Sequence, residues 1–300
     1  MKEIYDIAII GAGPAGLTAA IYALRDDKKV ILLEENVEGG QILNSSSVVN
    51  IPGFSEISGA AFIEKMLTQI NSFPEAIKLL TTEYKTVQDV VKKHNFIITT
   101  TEGDTFEAKT VICATGSSYR RLGVDGEKDL IGKGISFCST CDAPFYRGKD
   151  VAVIGGGNSA LTEALELSKF ASSIRIYQNL SMFTGSADLQ DRVLINPKVS
   201  YTFNTEVRHF ERVGNQIKIV FNNGEIVVDG VFIAIGLAPH NEYAKNIAVL
   251  DGQGYIKSMV EGAYAAGDCK KITANQVVVA CGSGAKAAIK ACRYLNTGEA

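Results

Sequence analysis

The sequence predicts an α/β fold built from two similar domains, with the second domain inserted within the first. Three observations indicate this arrangement. An apolar strand, a glycine-rich turn and a helix follow one another near the start, and the same order recurs from Val151 onwards. One further glycine-bearing strand lies near the end and has no third glycine-rich turn to serve. Two copies of an α/β unit in 300 residues indicate two domains rather than one.

The first copy fits a βαβ unit that binds a dinucleotide. An apolar strand over residues 7–10 is followed by the turn Gly11-Ala12-Gly13-Pro14-Ala15-Gly16 and by a helix over residues 17–24. A second apolar strand, residues 30–33, then ends at Glu34. Every part stands in the order that a nucleotide site requires, whereas a plain glycine turn would not need this order.

The residues of this turn have separate physical tasks. Gly11 permits the tight turn, Gly13 lets the backbone approach a pyrophosphate, and Gly16 lets the helix pack closely on the strand. The free N–H groups at the start of the helix would face the phosphates. The Glu34 carboxylate, at the strand end, can accept hydrogen bonds from ribose hydroxyls. We therefore expect a dinucleotide at this turn.

The second copy occupies residues 151–177 and has the same order of strand, turn, helix and strand. Its turn is Gly155-Gly156-Gly157-Asn158-Ser159-Ala160. The positions that could receive a second pyrophosphate are Gly155, Gly157, Asn158 and Ser159. The sequence thus predicts two Rossmann-like, three-layer nucleotide-binding domains, the second inserted in the first.

Three later strands place the domain boundaries. Residues 111–116, which end in Ala114-Thr115-Gly116, follow the first copy, and residues 231–236 follow the second. The third strand, residues 262–268, has no glycine-rich turn of its own, so the chain is expected to return there to the first domain.

We accordingly predict that residues 1–118 and 241–300 form the first domain and that residues 119–240 form the inserted domain. An amphipathic helix over residues 283–295 is expected to close the chain.

The overall composition is that of an ordinary globular protein. Thirty lysines and arginines nearly balance 33 aspartates and glutamates, which leaves no basic surface for nucleic acid or an anionic membrane. No apolar run approaches the length of a membrane span, and the acidic start of the chain does not resemble a secretion signal. We therefore expect a cytoplasmic protein without nucleic-acid or membrane partners.

Two of the six cysteines are close together, in Cys138-Ser139-Thr140-Cys141-Asp142. Two intervening residues at the start of a helix allow a small disulfide ring and lower the thiol pKa values, which favours exchange chemistry. The alternatives are half of a zinc site and a pair of structural thiols. A zinc site needs two further ligands, and the sequence offers no paired motif for them, so we expect no metal.

Asp142 directly follows the second cysteine and has two possible roles. As an acid it can return a proton to a leaving thiolate, and as a helix N-cap it can accept bonds from free N–H groups. The other cysteines stand in apolar or tightly packed settings and are expected to be structural: Cys113, Cys269, Cys281 and Cys292.

In its motifs and their order the whole chain resembles the low-molecular-weight thioredoxin reductases and their flavoprotein relatives. The motifs are Gly11-Ala12-Gly13-Pro14-Ala15-Gly16, Gly39-Gly40-Gln41, Asn50-Ile51-Pro52-Gly53, Ala114-Thr115-Gly116, Cys138-Ser139-Thr140-Cys141-Asp142, Gly155-Gly156-Gly157-Asn158-Ser159-Ala160 and Ala265-Ala266-Gly267-Asp268. The resemblance implies FAD in the first domain, a pyridine nucleotide in the second, and a homodimer.

The resemblance also implies roles for single residues. Glu34 would hold the adenosine ribose, Cys141 would face the flavin, and Cys138 would attack the disulfide of thioredoxin or a similar protein. Asp142 would be the acid. The other implied FAD-binding positions are Gly11, Gly13, Pro14, Ala15, Gly16, Gly40, Gln41, Asn50, Ala114, Thr115, Gly116, Gly267, Asp268, Asn275, Gln276 and Val277.

One segment departs from the family pattern. NADPH-using members carry histidine and arginines just after the second strand of the second domain, where they grip the 2′-phosphate. This chain has Tyr177-Gln178-Asn179-Leu180-Ser181-Met182-Phe183 there, and no arginine or lysine follows until Arg192. It also lacks the strand-end acid that would select NADH. The sequence leaves the donor open among NADPH, NADH and ferredoxin, and we expect NADPH to be a poor one.

Two other functions could use the same scaffold. A diaphorase or a ferredoxin (flavodoxin)–NAD(P) reductase needs no cysteine pair. A redox sensor would be expected to carry a fused output domain, of which the sequence shows no sign. The segment from Cys138 to Asp142 therefore favours a disulfide reductase.

Overall fold

The computed structural model describes residues 3–45, 47–272 and 274–298. The chain divides into two compact units. Unit 1 is Met1–Ser118 with Ala238–Ala300, and unit 2 is Tyr119–Leu237. Because the chain leaves unit 1 and later returns to it, unit 2 is an insertion.

Unit 1 contains a large sheet with helices on one face. Its first part comprises β1 Ile4–Ile10, α1 Pro14–Arg25, β2 Val30–Glu34, α2 Gly59–Asn71, α3 Ala76–Leu79, β3 Leu80–Tyr84, β4 Val87–Lys92, β5 Phe96–Thr100, β6 Thr105–Cys113 and β7 Ser117–Tyr119.

Unit 2 has two sheets. Its elements are α4 Glu127–Leu130, β8 Ile135–Ser136, α5 Ser139–Asp142, β9 Asp150–Ile154, α6 Asn158–Leu167, β10 Ser173–Tyr177, α7 Ala187–Leu194, β11 Val199–Thr202, β12 Val207–Val213, β13 Gln216–Phe221, β14 Gly224–Val228 and β15 Gly230–Ile233.

The rest of the chain begins at the boundary between the units and completes unit 1. It comprises β16 Leu237–Pro239, which pairs with β7, then β17 Ala248–Leu250, β18 Ile256–Met259, β19 Ala263–Ala265 and α8 Val277–Thr297. Short 3-10 helices lie at Gly40–Asn44, Ala143–Tyr146, Glu242–Ala244 and Gly267–Cys269.

The sheet of unit 1 has the order β3-β2-β1-β6-β5-β4, and β19 pairs with β6. Strands β3, β2, β1, β6 and β19 are parallel, whereas β4 and β5 form an antiparallel arm. Ile10 is in register with Leu33 and with Cys113. Three strands therefore end at the same edge, where Gly11 follows β1, Ala114 follows β6 and Glu34 is the last residue of β2.

Both faces of this sheet are covered, as the continuous apolar run of β1 requires. Ile7 and Ile9 pack against α1, α2 and α8, whereas Ala8 and Ile10 pack on the opposite side with the β4–β5 arm and with Tyr243. Unit 1 thus has three layers around the sheet that carries the first glycine turn.

Unit 2 repeats this plan on a smaller scale. Its parallel sheet has the order β11-β10-β9-β15-β8, and β12, β13 and β14 form an antiparallel meander. Val151 and Val153 pack towards α6 and α7, whereas Ala152 and Ile154 pack towards the meander. The predicted fold class, α/β with two Rossmann-like three-layer domains, is confirmed.

Helix α8 is longer than the sequence predicts. Helix α8 begins at Val277, six residues before the predicted start at residue 283, and ends at Thr297. Within the described ranges, none of the helices combines the length and the apolar character that crossing a bilayer requires.

Candidate active site

The first glycine turn joins β1 to α1 in a conformation that a larger residue would strain. Gly11 has a φ of +102°, and a Cβ at this position would lie 2.4 Å from the Ala114 carbonyl oxygen. A Cβ at Gly16 would lie 1.8 Å from the Gly11 carbonyl oxygen. Pro14 occupies the first turn of α1, where its missing N–H costs nothing. The turn therefore leaves the start of α1 open at the sheet edge.

Glu34 lies beside this turn, at the end of β2. Its Oε2 accepts a hydrogen bond from the Ala12 N–H at 2.7 Å, and its Oε1 accepts one from the Glu35 N–H at 2.9 Å. These bonds hold the carboxylate next to the glycine turn, where a ribose would lie.

The segment Gly39-Gly40-Gln41 runs along the other side of the turn. The Gly39 N–H donates to the Ala12 carbonyl at 2.9 Å, and a Cβ at Gly40 would come within 3.6 Å of the Gly13 Cα. The Gln41 amide donates to the Ser117 carbonyl, just after the strand end that carries Ala114 to Gly116. Two glycines thus face each other with no side chain between them.

The residues before α8 complete the same edge of unit 1. The Gly267 N–H donates to Ser283 Oγ at 3.1 Å, and Asn50 donates to the Gln276 side chain at 3.0 Å. Burial raises the pKa of Asp268, and a hydrogen bond from Asn275 opposes that rise. Asp268 Oδ1 is buried and has no hydrogen-bond partner among the described residues.

These features fit FAD. A buried carboxylate oxygen without a partner calls for a donor from outside the chain, and a ribityl hydroxyl is such a donor. Ser117 Oγ, near Gln41, is also buried without a partner in the described part of the chain. The glycine surfaces at Gly13 and Gly40 leave room for a pyrophosphate beside the start of α1.

We expect the purified protein to be yellow and to release FAD, without a covalent bond, on denaturation. Asp268→Ala should weaken FAD binding by about tenfold or more, because a hydrogen bond to a charged group is worth roughly 1.5–3 kcal/mol. Mass analysis of the released cofactor and titration of the apoprotein measure both effects. Glu242→Gln, an exposed acid of unit 1 paired with Lys245, is the control and should bind FAD normally. Release of FMN, or no flavin after reconstitution, would contradict the assignment.

The second glycine turn, in unit 2, has the same geometry as the first. Gly155 has a φ of +130°, and a Cβ there would lie 2.5 Å from the Ala234 carbonyl oxygen. The Gly155 N–H donates to the Tyr177 backbone carbonyl at 2.9 Å. Gly157 precedes α6, which starts at Asn158 and Ser159. The start of α6 can therefore receive a pyrophosphate in the same way as the start of α1.

The segment after β10 folds back over this second turn. The buried Gln178 side chain packs against Gly156, where a Cβ would lie 2.6 Å from its Nε2. The Thr184 N–H donates to the Gly156 carbonyl at 2.8 Å, and the Ser186 N–H donates to Asn158 Oδ1 at 2.7 Å. Between these anchors, Leu180 is exposed together with Met182. The segment therefore presents apolar side chains at the place where basic side chains would be needed to bind a 2′-phosphate.

Cys138 and Cys141 form a disulfide with a Cα–Cα distance of 5.4 Å. Cys138 precedes the four-residue helix α5, and the Cys141 N–H donates to Cys138 Sγ at 3.2 Å. Cys141 is exposed and Cys138 half-buried. Within the described ranges, no group of three or more histidine, cysteine or acidic side chains is placed to hold a metal ion. The pair is thus arranged for thiol–disulfide exchange.

Asp142 is held by Ser136, a residue that the sequence did not single out. Ser136 Oγ donates to Asp142 Oδ2 at 2.6 Å and accepts a hydrogen bond from the Cys138 N–H at 3.1 Å. Burial raises the pKa of Asp142, and the bond from Ser136 opposes the rise. The side chain makes no capping bond at the start of the 3-10 helix Ala143–Tyr146. Of the two roles considered, the geometry favours the acid over the cap.

The remaining thiols all belong to unit 1. Cys113, Cys269 and Cys292 are buried and Cys281 is half-buried. Burial raises the pKa of Cys113 and that of Cys269 to about 12, and Cys269 Sγ donates to the Cys113 carbonyl at 3.2 Å. Thiols with such pKa values are protonated at neutral pH, as expected for structural cysteines.

Glu163 is a second residue that sequence reasoning missed. It lies on α6 beside residues of the buried face, and its Oε2 is buried without a partner among the described residues. An acid three residues after the buried Ala160, and next to the buried Ala164, is the signal that could have identified it.

This chain is similar to known proteins over nearly its whole length. The family described as "Pyridine nucleotide-disulphide oxidoreductase" matches residues 5–288. Thioredoxin reductase of Bacillus subtilis (strain 168) is 34% identical, with 98% of this chain and 96% of the relative covered. Thioredoxin reductase of Peptoclostridium acidaminophilum is 37% identical, with 98% of each covered.

A solved structure shows the same likeness. The crystal structure of thioredoxin reductase from Streptococcus pyogenes MGAS5005 has a TM-score of 0.90 and 32% identity to this chain. The alignment covers 99% of this chain and 100% of that one.

Proposed function

Because this chain belongs to the pyridine nucleotide-disulphide oxidoreductases, and within them to the low-molecular-weight thioredoxin reductases, we propose that it reduces the disulfide of thioredoxin or a similar protein. The observation that carries this proposal is the Cys138–Cys141 disulfide, with the Asp142 carboxyl tied to the same strand end through Ser136. A diaphorase would need none of these groups.

FAD, when bound, supplies the electron pair for the disulfide. The chain's own residues then handle the protons and the exchange. When the Cys138–Cys141 bond breaks, one sulfur takes a proton from Asp142 and the other remains a thiolate. The Cys138 sulfur attacks the partner disulfide to form a mixed disulfide. Cys141, the protonated sulfur, then returns its proton to Asp142 and attacks Cys138. This step restores the Cys138–Cys141 bond and releases the partner with both sulfurs reduced, as thiolates that take protons from water.

The donor is the finer part of the proposal. The turn at Gly155 and the start of α6 would take the pyrophosphate of a nicotinamide nucleotide, which the family uses. With Leu180 and Met182 at the place of the basic grip, we propose that NADH or reduced ferredoxin serves at least as well as NADPH. The homodimer and the cytoplasmic location stay predictions.

A test that does not depend on the donor is a single turnover. Chemically reduced protein, freed of excess reductant, is mixed with oxidised thioredoxin, and new thioredoxin thiols are counted by alkylation. We expect stoichiometric thiol formation, and none with a thioredoxin whose two active-site cysteines are serines. Reduction of ferricyanide without reduction of thioredoxin would instead indicate a diaphorase.

A further inference from the structure

We propose that Glu163 is a positioning residue for disulfide reduction, which acts through Asp142 from its half-buried place on α6. The inference rests on the proposed function, since it concerns the same disulfide. It assigns a task to a carboxyl that makes no hydrogen bond or ion pair with the cysteine pair among the described contacts.

The location of Glu163 connects it to the redox site. Helix α5, which ends at Asp142, packs against α6. Glu163 stands beside Ala160 and Ala164, two residues of the buried face of α6. Its Oε2 is shielded from solvent and meets no hydrogen-bond partner in the described part of the chain. A methionine could occupy a similar volume without the cost of an unpaired buried oxygen, so packing does not account for the acid.

The charges around Glu163 leave it without a compensating cation. Asp142 is the charged group that acts on it, and no salt bridge to either carboxyl is present among the described residues. Tyr146, on the adjoining 3-10 helix, is a neutral phenol whose pKa is raised by burial and then by Asp142 and Asp229.

Most of the other charged groups on the elements packed against α6 pair with each other. Arg175 lies 3.9 Å from Asp150, on β10 and β9. On α7, Arg192 lies 3.9 Å from Asp188. Asp191 also lies on α7, and its side chain has no ion pair among the described contacts. The two carboxyls therefore share a site in which one negative charge is tolerated better than two.

This arrangement fixes the protonation of the pair. Burial, and then the charge of Asp142 once that carboxyl is ionised, raise the pKa of Glu163 to about 8. Glu163 is therefore neutral at pH 7 and becomes charged as the pH rises past 8. The interaction is reciprocal, so an ionised Glu163 opposes the ionisation of Asp142.

Asp142 must ionise when the disulfide is reduced. The S–S bond accepts two electrons from the flavin of the proposed function, one sulfur takes the Asp142 proton, and the other sulfur stays a thiolate. The products are one thiol, one thiolate and the Asp142 carboxylate. A neutral Glu163 does not repel this new carboxylate, whereas a charged Glu163 places a second negative charge beside it.

The test compares the pH profiles of thioredoxin reduction between pH 6 and 9.5 for the wild type, Glu163→Gln and Glu166→Gln. We expect the wild-type rate to fall by about tenfold above pH 8, since a like charge nearby commonly shifts a pKa by about one unit. Glu163→Gln should lose this fall while keeping its rate at pH 7. Glu166→Gln alters an acid of the same helix that pairs with Lys169, and should follow the wild type.

A second variant and a second measurement separate this role from a purely structural one. Glu163→Asp keeps a carboxyl and should keep an alkaline fall. Because the folded-state pKa of Glu163 is raised, its contribution to stability is fully present below about pH 4.5 and is lost as the pH rises towards 8. The melting temperature of Glu163→Gln should therefore depend less on pH over this range than that of the wild type.

Superimposable profiles of active wild type and active Glu163→Gln would overturn the proposal, as would a flat profile for Glu163→Asp. A wild type that reduces no thioredoxin at any pH would instead overturn the proposed function. The two failures are thus distinguishable.

Discussion

Replacing Cys138 by serine should lower thioredoxin reduction by more than about a thousandfold, because a serine hydroxyl can neither form nor exchange a disulfide. Reduction of ferricyanide should persist in the same preparation, since that acceptor needs no cysteine. Steady-state assays with the two acceptors, run in parallel on each variant, measure both rates.

Cys281→Ser is the matched control for this prediction. It removes a half-buried thiol from α8, far along the chain from the redox pair, and should retain both activities. A diaphorase would reduce ferricyanide in all three proteins and thioredoxin in none, and a redox sensor would turn over neither acceptor. Thioredoxin reduction that survives in Cys138→Ser would show that the pair is not the working centre.

The second large effect concerns the electron donor. NADPH should be no better a donor than NADH or reduced ferredoxin. A 2′-phosphate carries nearly two negative charges, and each charge-assisted contact to it is worth on the order of 1.5–3 kcal/mol. Losing two such contacts should weaken discrimination for NADPH by roughly a hundredfold or more. Steady-state thioredoxin reduction at matched donor concentrations gives the comparison.

The structure suggests how this preference could be changed. Asn179 is exposed, one residue after the anchored Gln178, so Asn179→Arg would place a cation on the segment that covers the second glycine turn. We expect kcat/KM for NADPH to rise by about tenfold relative to NADH. Val213→Arg adds the same charge at an exposed end of the β12–β13 meander and should change neither donor. NADPH turnover in the wild type that matches or exceeds every other donor would refute this account.

The glycine turns could be predicted from sequence because their geometry excludes other residues. At Gly11 and Gly155 the φ angle is positive and a Cβ would clash with a carbonyl oxygen 2.4 or 2.5 Å away, so only glycine fits and the local pattern identifies both positions. The cysteine pair could also be predicted from sequence, because the spacing of two residues determines whether the sulfurs can form a disulfide.

The acid pair was harder to predict because it depends on packing between distant segments. The charge of Asp142 acts on Glu163 only because α5 packs on α6. From sequence alone, a single glutamate in a helix is expected to lie on the surface. Ser136 acquires its role from two hydrogen bonds that reach across a turn to Cys138 and Asp142. The start of α8 at Val277 could not be predicted because Gly282 and Gly284 follow it, and each glycine disfavours helix by about 1 kcal/mol. In the structure, Gly284 is needed because a Cβ there would lie 2.0 Å from the Ala15 carbonyl oxygen of α1.

The central claim, that the Cys138–Cys141 disulfide exchanges electrons with a bound flavin, is tested most directly by anaerobic reductive titration of the oxidised protein. The account predicts uptake of about four electrons per chain by the wild type, two by the flavin and two by the disulfide, and about two by Cys141→Ser. Uptake of two electrons by both proteins would show that the disulfide takes no part.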